Sequence, residues 1–266
     1  MVKKIRLYWA GGHKNNINFG DTLSPLVVEM LSGRQVQFAS PSRCDIVAIG
    51  SLLDKVASRK FRRYFNFKMS PIKVWGTGSF SASSISRLSN LEIFALRGPL
   101  TRSAIGLDDS VPLGDPGLLI DRFEIKSKKT FRWGIIPHYL DLKLPSIKEI
   151  INHNKNSTVI DLTNPNLFET MKNIQGCDFI ISSSLHGIIA ADALNIPNIW
   201  MSVSNNVQGA NWKFNDYFLS VGRGMREPIK DKINLSYLEG QANVADRKKI
   251  EKCKLDLEAA FKRIYK

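Results

Sequence analysis

Short apolar runs alternate along the chain with longer segments of helical periodicity. Four runs in the first half have the length of strands and little polar interruption. They are residues 4–10, 45–50, 72–78 and 91–98. Four more follow at 131–139, 157–162, 178–182 and 198–202. Continuously apolar strands that alternate with helices are typical of parallel sheets covered on both faces, so the pattern predicts an α/β fold.

Proline, glycine and a lysine-rich stretch interrupt this alternation between Val111 and Thr130. We place a domain boundary there, with residues 1–124 forming one Rossmann-like, doubly wound domain and residues 125–244 forming a second. Open parallel sheets bind their ligands outside the carboxyl ends of the strands. The two domains are therefore predicted to face each other across a cleft.

The last segment, residues 245–266, has an apolar stripe at helical spacing. The stripe consists of Ile250, Cys253, Leu257, Phe261 and Ile264. Charged residues surround it, which predicts an amphipathic C-terminal helix. Packing of the stripe on the protein is favoured over the alternative, a basic helix that lies on a membrane.

Basic residues are in excess in this chain of 266 residues, whose formal net charge is +14. No acidic residue lies between Lys55 and Leu91. The basic residues of this stretch are Lys55, Arg59, Lys60, Arg62, Arg63, Lys68, Lys73 and Arg87, and aromatic residues are interleaved with them at 61–67. The stretch is either a solvated face or a patch for nucleic acid, an anionic membrane surface or an acidic substrate. Because no nucleic-acid motif accompanies it, we expect no nucleic-acid partner and rank the anionic membrane surface or acceptor higher.

The three cysteines, Cys44, Cys177 and Cys253, are scattered and lack the spacing of a zinc site, which indicates a reducing compartment. The first residues lack the apolar length and cleavage site of a signal peptide. No apolar run approaches the ~20 residues that span a bilayer. We expect a cytoplasmic protein that is soluble or peripheral at the inner face of the cell membrane.

Small and polar residues follow the strands of the first half. Asn18, Gly20 and Asp21 open a helix after the first strand, where Asp21 is equally suited to capping that helix. The segment WGTGS follows the third run and offers two glycines and two hydroxyls to a ligand. Its residues include Gly76, Thr77, Gly78 and Ser79. It is neither a Walker A loop nor a complete dinucleotide fingerprint, so it is a weak phosphate-loop signal.

Arg97 ends the fourth run, directly before Gly98 and Pro99 open a helix. Its planar guanidinium can hold a carboxylate or phosphate bidentately, and the helix N-terminus adds N–H donors. A salt bridge between layers is the alternative use of this arginine. Arg102, one turn later, is a second candidate ligand.

His186 has the corresponding position in the second half, after the run 178–182 and a serine triplet. A histidine titrates near neutral pH, so it can exchange a proton or, as a cation, hold an anion. Ser183, Ser184 and Gly187 would complete an anion cradle with it at a helix N-terminus. A core histidine with serine helix caps is the alternative.

Two further candidates accompany these motifs. His138 lies at the end of another strand run, and Lys213 lies between two aromatic residues in NWKFNDYFLS, which also contains Asp216. The lysine head group either approaches a ligand or extends to water.

The chain resembles the polysaccharide pyruvyl transferase family in an ordered series of motifs. They are NFGD, WGTGS, LRGPLTR, GDPGLL, IIPHYLD, CDFIISSSLHGIIAADALNIP and WKFNDY. The resemblance covers roughly residues 5–220. Within this family the chain is similar to the bacterial exopolysaccharide branch, which has S-L-H where other branches have R-L-H.

The resemblance implies a fold like that of GT-B glycosyltransferases and transfer of the pyruvyl group of phosphoenolpyruvate to two sugar hydroxyls. The products would be a cyclic ketal and phosphate. The acceptor would be a sugar of a bacterial surface polysaccharide or its lipid-linked oligosaccharide precursor. No cofactor beyond the co-substrate phosphoenolpyruvate and no protein metal site is implied, and metal dependence is left open.

The resemblance also implies roles for single residues. Arg97 would bind the carboxylate or phosphate of the donor, His186 would act as general acid or stabilise the departing phosphate, and Lys213 would contact the donor. The other residues expected at the donor site are Asn18, Gly20, Asp21, Gly76, Thr77, Gly78, Ser79, His138, Ser183, Ser184 and Gly187. Ser184 replaces the arginine of R-L-H relatives, and the candidates for the missing charge are Lys213, Arg102 and Arg223.

Two alternative functions stay open at this point. One is a nucleotide-sugar glycosyltransferase of GT-B architecture, whose phosphates would also lie at the helix after His186. The other is a non-catalytic polysaccharide-binding or anion-binding protein of the same fold, which would bind ligand without releasing phosphate.

Overall fold

The structure is a computed structural model that describes residues 4–12, 18–65, 70–82, 88–230 and 233–265. Its strands are β1 (Ile5–Tyr8), β2 (Val36–Phe38), β3 (Ile46–Val47), β4 (Ile72–Trp75), β5 (Leu91–Ala95), β6 (Phe131–Ile136), β7 (Ser157–Val159), β8 (Cys177–Ser182) and β9 (Asn198–Trp200). Its helices are α1 (Phe19–Ser32), α2 (Leu53–Ala57), α3 (Lys60–Phe65), α4 (Pro99–Ala104), α5 (Pro145–Asn152), α6 (Leu167–Gln175), α7 (Leu185–Ala193), α8 (Ala210–Ser220), α9 (Leu235–Leu238) and α10 (Arg247–Ile264). The described strands form two sheets, in which neighbouring strands run parallel.

The first sheet has the strand order β2-β1-β3-β4-β5. Leu7, Ile46, Val47 and Val74 on its central strands are fully buried, as expected for a parallel sheet covered on both faces. The four apolar runs predicted in this half contain β1, β3, β4 and β5. Strand β2 was missed because it is an edge strand of three residues with an exposed Gln37, and so produces no continuous apolar run.

The second sheet has the strand order β7-β6-β8-β9. Its central strands carry the buried residues Ile135, Ile136, Ile180 and Ile181. Three of its four strands lie within a predicted run, and β8 begins one residue before its run. The predicted α/β class, with two parallel sheets in two halves of the chain, is therefore confirmed.

A single hydrophobic cluster joins the two sheets. It contains Ile46 and Trp75 from the first sheet and Ile136 and Ile180 from the second. The 3₁₀ helix Pro116–Phe123 runs between the sheets with its centre buried and packs on α1 and α7. The sheets thus lie on either side of the predicted boundary after residue 124, and the boundary itself stays a prediction.

Helix α10 returns to the first half of the chain and packs on β4 and β5. Trp75 Nε1 donates a hydrogen bond to the Leu257 carbonyl at 2.9 Å, and Lys73 Nζ donates one to the Ile264 carbonyl at 2.7 Å. The rings of Trp75 and Phe261 lie 4.7 Å apart. The prediction that the terminal helix packs on the protein is confirmed.

The described helices are all too short or too polar to cross a membrane. The three cysteines are buried and unpaired. Burial raises the pKa of Cys44 and of Cys177 to about 12 and that of Cys253 to about 11. These thiols are therefore protonated at neutral pH and pack as small apolar side chains.

Candidate active site

Two of the predicted motifs, one from each half of the chain, meet at the N-termini of α1 and α7. A Cβ atom placed on Gly20 would lie 1.9 Å from His186 Nδ1, so the imidazole packs directly on the glycine backbone. The Phe19 N–H donates to the Leu162 carbonyl at 2.8 Å, which fixes the start of α1 against the second half. The contact explains why glycine is required at position 20.

The serine triplet shapes the turn between β8 and α7. Ser182 Oγ accepts a hydrogen bond from the Ser184 N–H at 2.9 Å and donates one to the Ile136 carbonyl at 2.9 Å. Ser183 Oγ accepts from the His138 N–H at 2.8 Å. Ser184 occupies the N-cap position of α7 but makes no side-chain cap bond. The serines therefore join the ends of β6 and β8 and leave the first N–H groups of α7 without a side-chain cap.

Gly187, in the first turn of α7, leaves room for this turn. A Cβ atom there would lie 2.4 Å from Ser182 Oγ. Gly187 is thus required by packing, and its predicted contact with the donor stays a prediction.

His186 carries an unusual charge environment. Part of its side chain is exposed, but its Nε2 is buried and has no hydrogen-bond partner among the described residues. Burial lowers its pKa to about 3, and the positive charges of Lys213, Arg97 and His138 contribute in the same direction. The imidazole is therefore neutral at pH 7.

Lys213 and His138 share this electropositive surrounding. Burial lowers the pKa of Lys213 to about 8, with a further contribution from Arg97. Burial and the charge of Lys213 lower the pKa of His138 to about 4, against the opposing effect of Asp141. No carboxylate in the described part of the chain pairs with Lys213. The site thus gathers basic groups whose charged forms lack a counter-ion.

Arg97, predicted to bind the donor, is fully buried and holds protein groups instead. Its Nε donates to Asp216 Oδ2 at 3.0 Å, its Nη1 to Ser51 Oγ at 2.7 Å and its Nη2 to the Ser79 carbonyl at 2.8 Å. A Cβ atom on Gly78 would lie 2.3 Å from its Cζ. These are the contacts of the alternative interpretation, a salt bridge between layers, and direct contact with the donor stays a prediction.

The WGTGS segment is likewise bonded to the protein. Thr77 Oγ1 donates to the Gly50 carbonyl at 2.6 Å, and Ser79 Oγ accepts from Trp212 Nε1 at 3.0 Å. Gly76 has a φ of +82°. Contacts within the protein therefore account for these hydroxyls, and their contact with the donor stays a prediction.

The NFGD motif leaves its carboxyl group unpaired. Asn18 is the N-cap residue of α1 and makes no side-chain cap bond. Asp21 lies in the first turn, and among the described residues it makes neither a hydrogen bond nor an ion pair. Burial raises its pKa to about 7, although Lys55 acts in the opposite direction. The structure thus shows no capping bond from Asp21 among the described residues, but it places the residue in the first turn of α1, where a carboxylate complements the helix dipole as the alternative predicted.

Of the three candidates for the charge missing at Ser184, one belongs to this site. Arg102 pairs with Asp109 and the Val111 carbonyl, at the far end of α4. Arg223 is held in a buried network with the side chains of Asp192, Asn198 and Asn243. Lys213 alone of the three contributes to the low pKa of His186.

Several residues that support the site were not predicted as site residues. They are Ser51, Thr101, Asp115 and Trp212, together with Asp216, which was noted only as a neighbour of Lys213. Asp216 Oδ2 accepts from Thr101 Oγ1 at 2.7 Å and its Oδ1 from the Thr101 N–H at 2.9 Å. Asp115 caps the 3₁₀ helix through the Gly117 N–H, and burial raises its pKa to about 6. Most of these residues lie inside the motifs quoted above, so the motifs marked the right segments of the chain without indicating the role of these side chains.

The family model for polysaccharide pyruvyl transferases matches residues 18–205, which contain both motifs that meet at His186. The chain belongs to the polysaccharide pyruvyl transferase family. ExoV of Rhizobium meliloti (strain 1021), a succinoglycan biosynthesis protein, is 24% identical over 231 residues, which are 84% of this chain and 67% of ExoV. This likeness supports the exopolysaccharide branch of the pyruvyl transferase family.

A viral relative matches a shorter segment. Protein L143 of Acanthamoeba polyphaga mimivirus is 35% identical over 119 residues, or 42% of this chain, and the match spans only 41% of the viral protein.

Among solved structures, S. aureus MnaA with UDP aligns with a TM-score of 0.43 at 9% identity over 87% of this chain and 93% of MnaA. The kitacinnamycin glycotransferase aligns with a TM-score of 0.38 at 12% identity over 89% of this chain and 69% of that protein. Both scores lie below 0.5 and neither structure bears on function.

Proposed function

We propose that this member of the pyruvyl transferase family transfers the pyruvyl group of phosphoenolpyruvate to two hydroxyls of a sugar. The acceptor sugar belongs to a bacterial surface polysaccharide or to its lipid-linked precursor. The products are a cyclic ketal and inorganic phosphate. Family membership and the likeness to ExoV support the class of reaction, and the charge of the site supports the donor.

The single observation that carries this proposal is a group of three basic side chains near the N-terminus of α7, in which Lys213 has no paired carboxylate among the described residues and the two histidines are free to gain a proton when an anion binds. His138, His186 and Lys213 all have lowered pKa values, because each charged form is buried near other positive groups. A donor with a phosphate and a carboxylate supplies the missing negative charge. The uncapped N–H groups of α7 suit the same ligand, since a helix N-terminus binds phosphate well.

The reaction requires one proton transfer to carbon, two proton transfers from hydroxyls and the loss of phosphate. A proton adds to the methylene carbon of the donor, which makes C2 electrophilic. The first sugar hydroxyl attacks C2 and loses its proton, the C2–O bond to phosphate breaks, and the second hydroxyl attacks and loses its proton. One of the two hydroxyl protons balances the proton taken up by carbon, and the other leaves with phosphate or solvent.

His186 and Asp21 are the groups proposed to move these protons. A bound phosphate raises the pKa of the neutral His186 imidazole, so donor binding loads it with a proton for the methylene carbon or the leaving oxygen. Asp21 has a pKa of about 7 and a carboxyl that no described residue pairs with, and it follows the glycine that touches His186. It is suited to accept a hydroxyl proton near neutral pH.

Lys213 is proposed to replace the charge that R-L-H relatives carry at the position of Ser184. Its amine contributes to the electrostatics of both histidines. Arg97 is proposed to act through Lys213 rather than on the donor, because Arg97 and Asp216 hold α8, which carries the lysine. Arg97 is therefore a positioning residue in this proposal.

The test is to incubate the protein with phosphoenolpyruvate and candidate lipid-linked repeat units. The expected result is release of phosphate together with a pyruvyl mass gain on the acceptor, both lost in His186→Ala. Thermal stabilisation by UDP- or GDP-sugars but not by phosphoenolpyruvate would instead establish the glycosyltransferase alternative. Binding of phosphoenolpyruvate without phosphate release, across a panel of acceptors, would establish the non-catalytic alternative.

A further inference from the structure

Two aromatic side chains stand out from the surface on α3. Tyr64 is 65% exposed and Phe65 is 78% exposed, and their rings contact each other edge to face with centroids 6.2 Å apart. Neighbouring exposed aromatics of this size are unusual on a protein surface that contacts only water. They indicate a contact with an apolar or interfacial partner.

The residue before them fixes α3 to the protein. Arg63 is buried, and its Nη1 and Nη2 donate to the Cys44 carbonyl at 2.8 Å and to the Ser70 carbonyl at 2.6 Å. A guanidinium that satisfies two backbone carbonyls in the interior holds this turn of the helix in place. The outward orientation of Tyr64 and Phe65 is therefore a fixed feature of the surface.

Basic residues precede the two rings along α2 and α3. Lys55 and Arg62 are exposed, Arg59 is half-buried, and no acidic residue occurs from Lys55 to Leu91. Basic side chains around exposed aromatics match the interface of an anionic bilayer, where lipid head groups take the charge and the rings enter the head-group region. Nucleic acid would also take the charge, but the chain has no nucleic-acid motif.

The same surface reaches the active site. Lys55 on α2 interacts electrostatically with Asp21, and the Leu53 N–H donates to the Gly78 carbonyl at 3.2 Å. Helices α2 and α3 thus lead from the site to the exposed aromatics. A membrane bound at α3 would lie on the side of the protein from which Lys55 acts on Asp21.

We propose that the exposed residues of Lys55–Phe65 dock on an anionic lipid bilayer and present the active site to an acceptor anchored in that bilayer. The docking itself is independent of the chemistry, and only the purpose of the docking rests on the proposed function. We name the residues of α2 and α3 that face solvent the docking surface.

The experiment is co-sedimentation of the full chain with vesicles of phosphatidylcholine, with and without about a third phosphatidylglycerol. The wild type is expected to bind the anionic vesicles, with an affinity that falls as salt is raised from about 0.05 M to about 0.5 M, because salt screens the surface charge. The double variant Tyr64→Ser, Phe65→Ser is expected to bind at least about tenfold more weakly, since two interfacial side chains are lost. Tyr237→Ser is the matched control, because Tyr237 is 80% exposed on α9 in the other half of the chain.

Three results of the vesicle experiment would overturn the proposal. They are no binding of the wild type to anionic vesicles at low salt, equal binding of the double variant and the wild type, and a loss in Tyr237→Ser as large as in the double variant. Tighter binding of RNA than of vesicles, with the same dependence on Tyr64 and Phe65, would assign the surface to nucleic acid and also overturn it. Thermal melting checks that the variants are folded.

Activity on two acceptors separates this proposal from the proposed function. The double variant is expected to keep wild-type turnover on a water-soluble acceptor fragment and to lose turnover on the lipid-linked form in vesicles. Equal loss on both acceptors would contradict docking as the role of these residues. Absence of pyruvyl transfer by the wild type, with vesicle binding intact, would contradict the proposed function alone.

Discussion

Arg97 Nε donates a hydrogen bond to Asp216 Oδ2 at 3.0 Å, and both side chains are fully buried. The pair connects the end of β5 in the first sheet to α8, a helix contributed by the second half of the chain. Thr101 donates two more hydrogen bonds to the same carboxylate. Asp216 therefore accepts three donors from one side of the site and fixes the helix that carries Lys213.

Replacing Asp216 with alanine is expected to destabilise the fold strongly. The change leaves the Arg97 guanidinium buried without its counter-ion, which typically costs about 3–5 kcal/mol. Urea unfolding followed by circular dichroism measures the loss. Asp256→Ala is the control, because Asp256 pairs with Lys252 on the exposed face of α10, where an ion pair contributes about 0.3–0.5 kcal/mol. Similar losses in the two variants would contradict this interpretation of the Arg97–Asp216 pair.

Replacing Gly20 with alanine is expected to reduce pyruvyl transfer by about tenfold or more, because the new Cβ would overlap His186 Nδ1 and displace the imidazole. The measurement is phosphate release at saturating donor, alongside thermal melting to confirm folding. Gly224→Ala is the matched control, since a Cβ there meets no atom within 4 Å and the residue has no positive φ. Full activity of the Gly20→Ala enzyme would contradict the proposed role of His186 in the reaction.

Anion binding is expected to weaken at alkaline pH through Lys213. Its pKa is about 8 in the free protein, and a bound anion raises that pKa, so the contribution of Lys213 to affinity is fully present below pH 8 and is lost as the pH rises above it. Proton uptake by His186 on anion binding would strengthen binding further at lower pH. Sulfate is a suitable probe, because its own charge does not change in this range. The measurement is the rise in melting temperature on adding sulfate at a series of pH values.

Two variants make the Lys213 prediction specific. Lys213→Arg keeps its charge to higher pH, so its sulfate-induced rise in melting temperature is expected to persist above pH 8. Lys213→Met is expected to show a small rise at every pH. If Lys213→Met matched the wild type throughout, the anion would bind elsewhere.

Asp21 is expected to set the acid limb of the pH–rate profile. With a pKa of about 7, its carboxyl is protonated below that pH, and a protonated carboxyl accepts no proton from the sugar. The value of kcat/KM is therefore expected to fall by about tenfold per pH unit below pH 7, to be highest between pH 7 and pH 8, and to fall again above pH 8 as Lys213 loses its proton. The Asp21→Asn enzyme is expected to be slow and to show no decrease in kcat/KM that is due to residue 21. Any decrease that remains at acid pH reports the ionisation of the donor phosphate. An unchanged profile in Asp21→Asn would exclude Asp21 as the base.

The apolar pattern predicted the strands because both sheets are parallel and covered on both faces. Such strands form continuous apolar runs, and each described strand except β2 lies inside one of the eight runs to within one residue. Strand β2 pairs with β1 at one edge of the sheet through Val36, Gln37 and Phe38, and its central residue is polar. Edge strands of this kind are specified by their pairing, which a local pattern does not contain.

The active-site motifs were predicted to come together, but the function of each side chain depends on its partners. Arg97 was expected at the donor because of its place at a strand end, and the same place puts it within reach of Asp216, 119 residues away. The contact between Gly20 and His186 joins two segments separated by most of the chain, so no spacing rule reveals it. Arg102 and Arg223 were equal to Lys213 as charges in sequence and differ from it only in their three-dimensional neighbours.

Helix α10 places a constraint on how the protein matures during synthesis. Trp75 in the first sheet bonds to the carbonyl of Leu257 and stacks near Phe261, so the apolar contacts of β4 are incomplete until these residues have been translated. The first half of the nascent chain is therefore expected to expose part of its apolar core, a surface that chaperones bind, while the second half is synthesised. Completion of the active site, where α8 also returns to the first sheet, is correspondingly a late event, and an enzyme arrested before α10 is expected to be inactive and prone to aggregate.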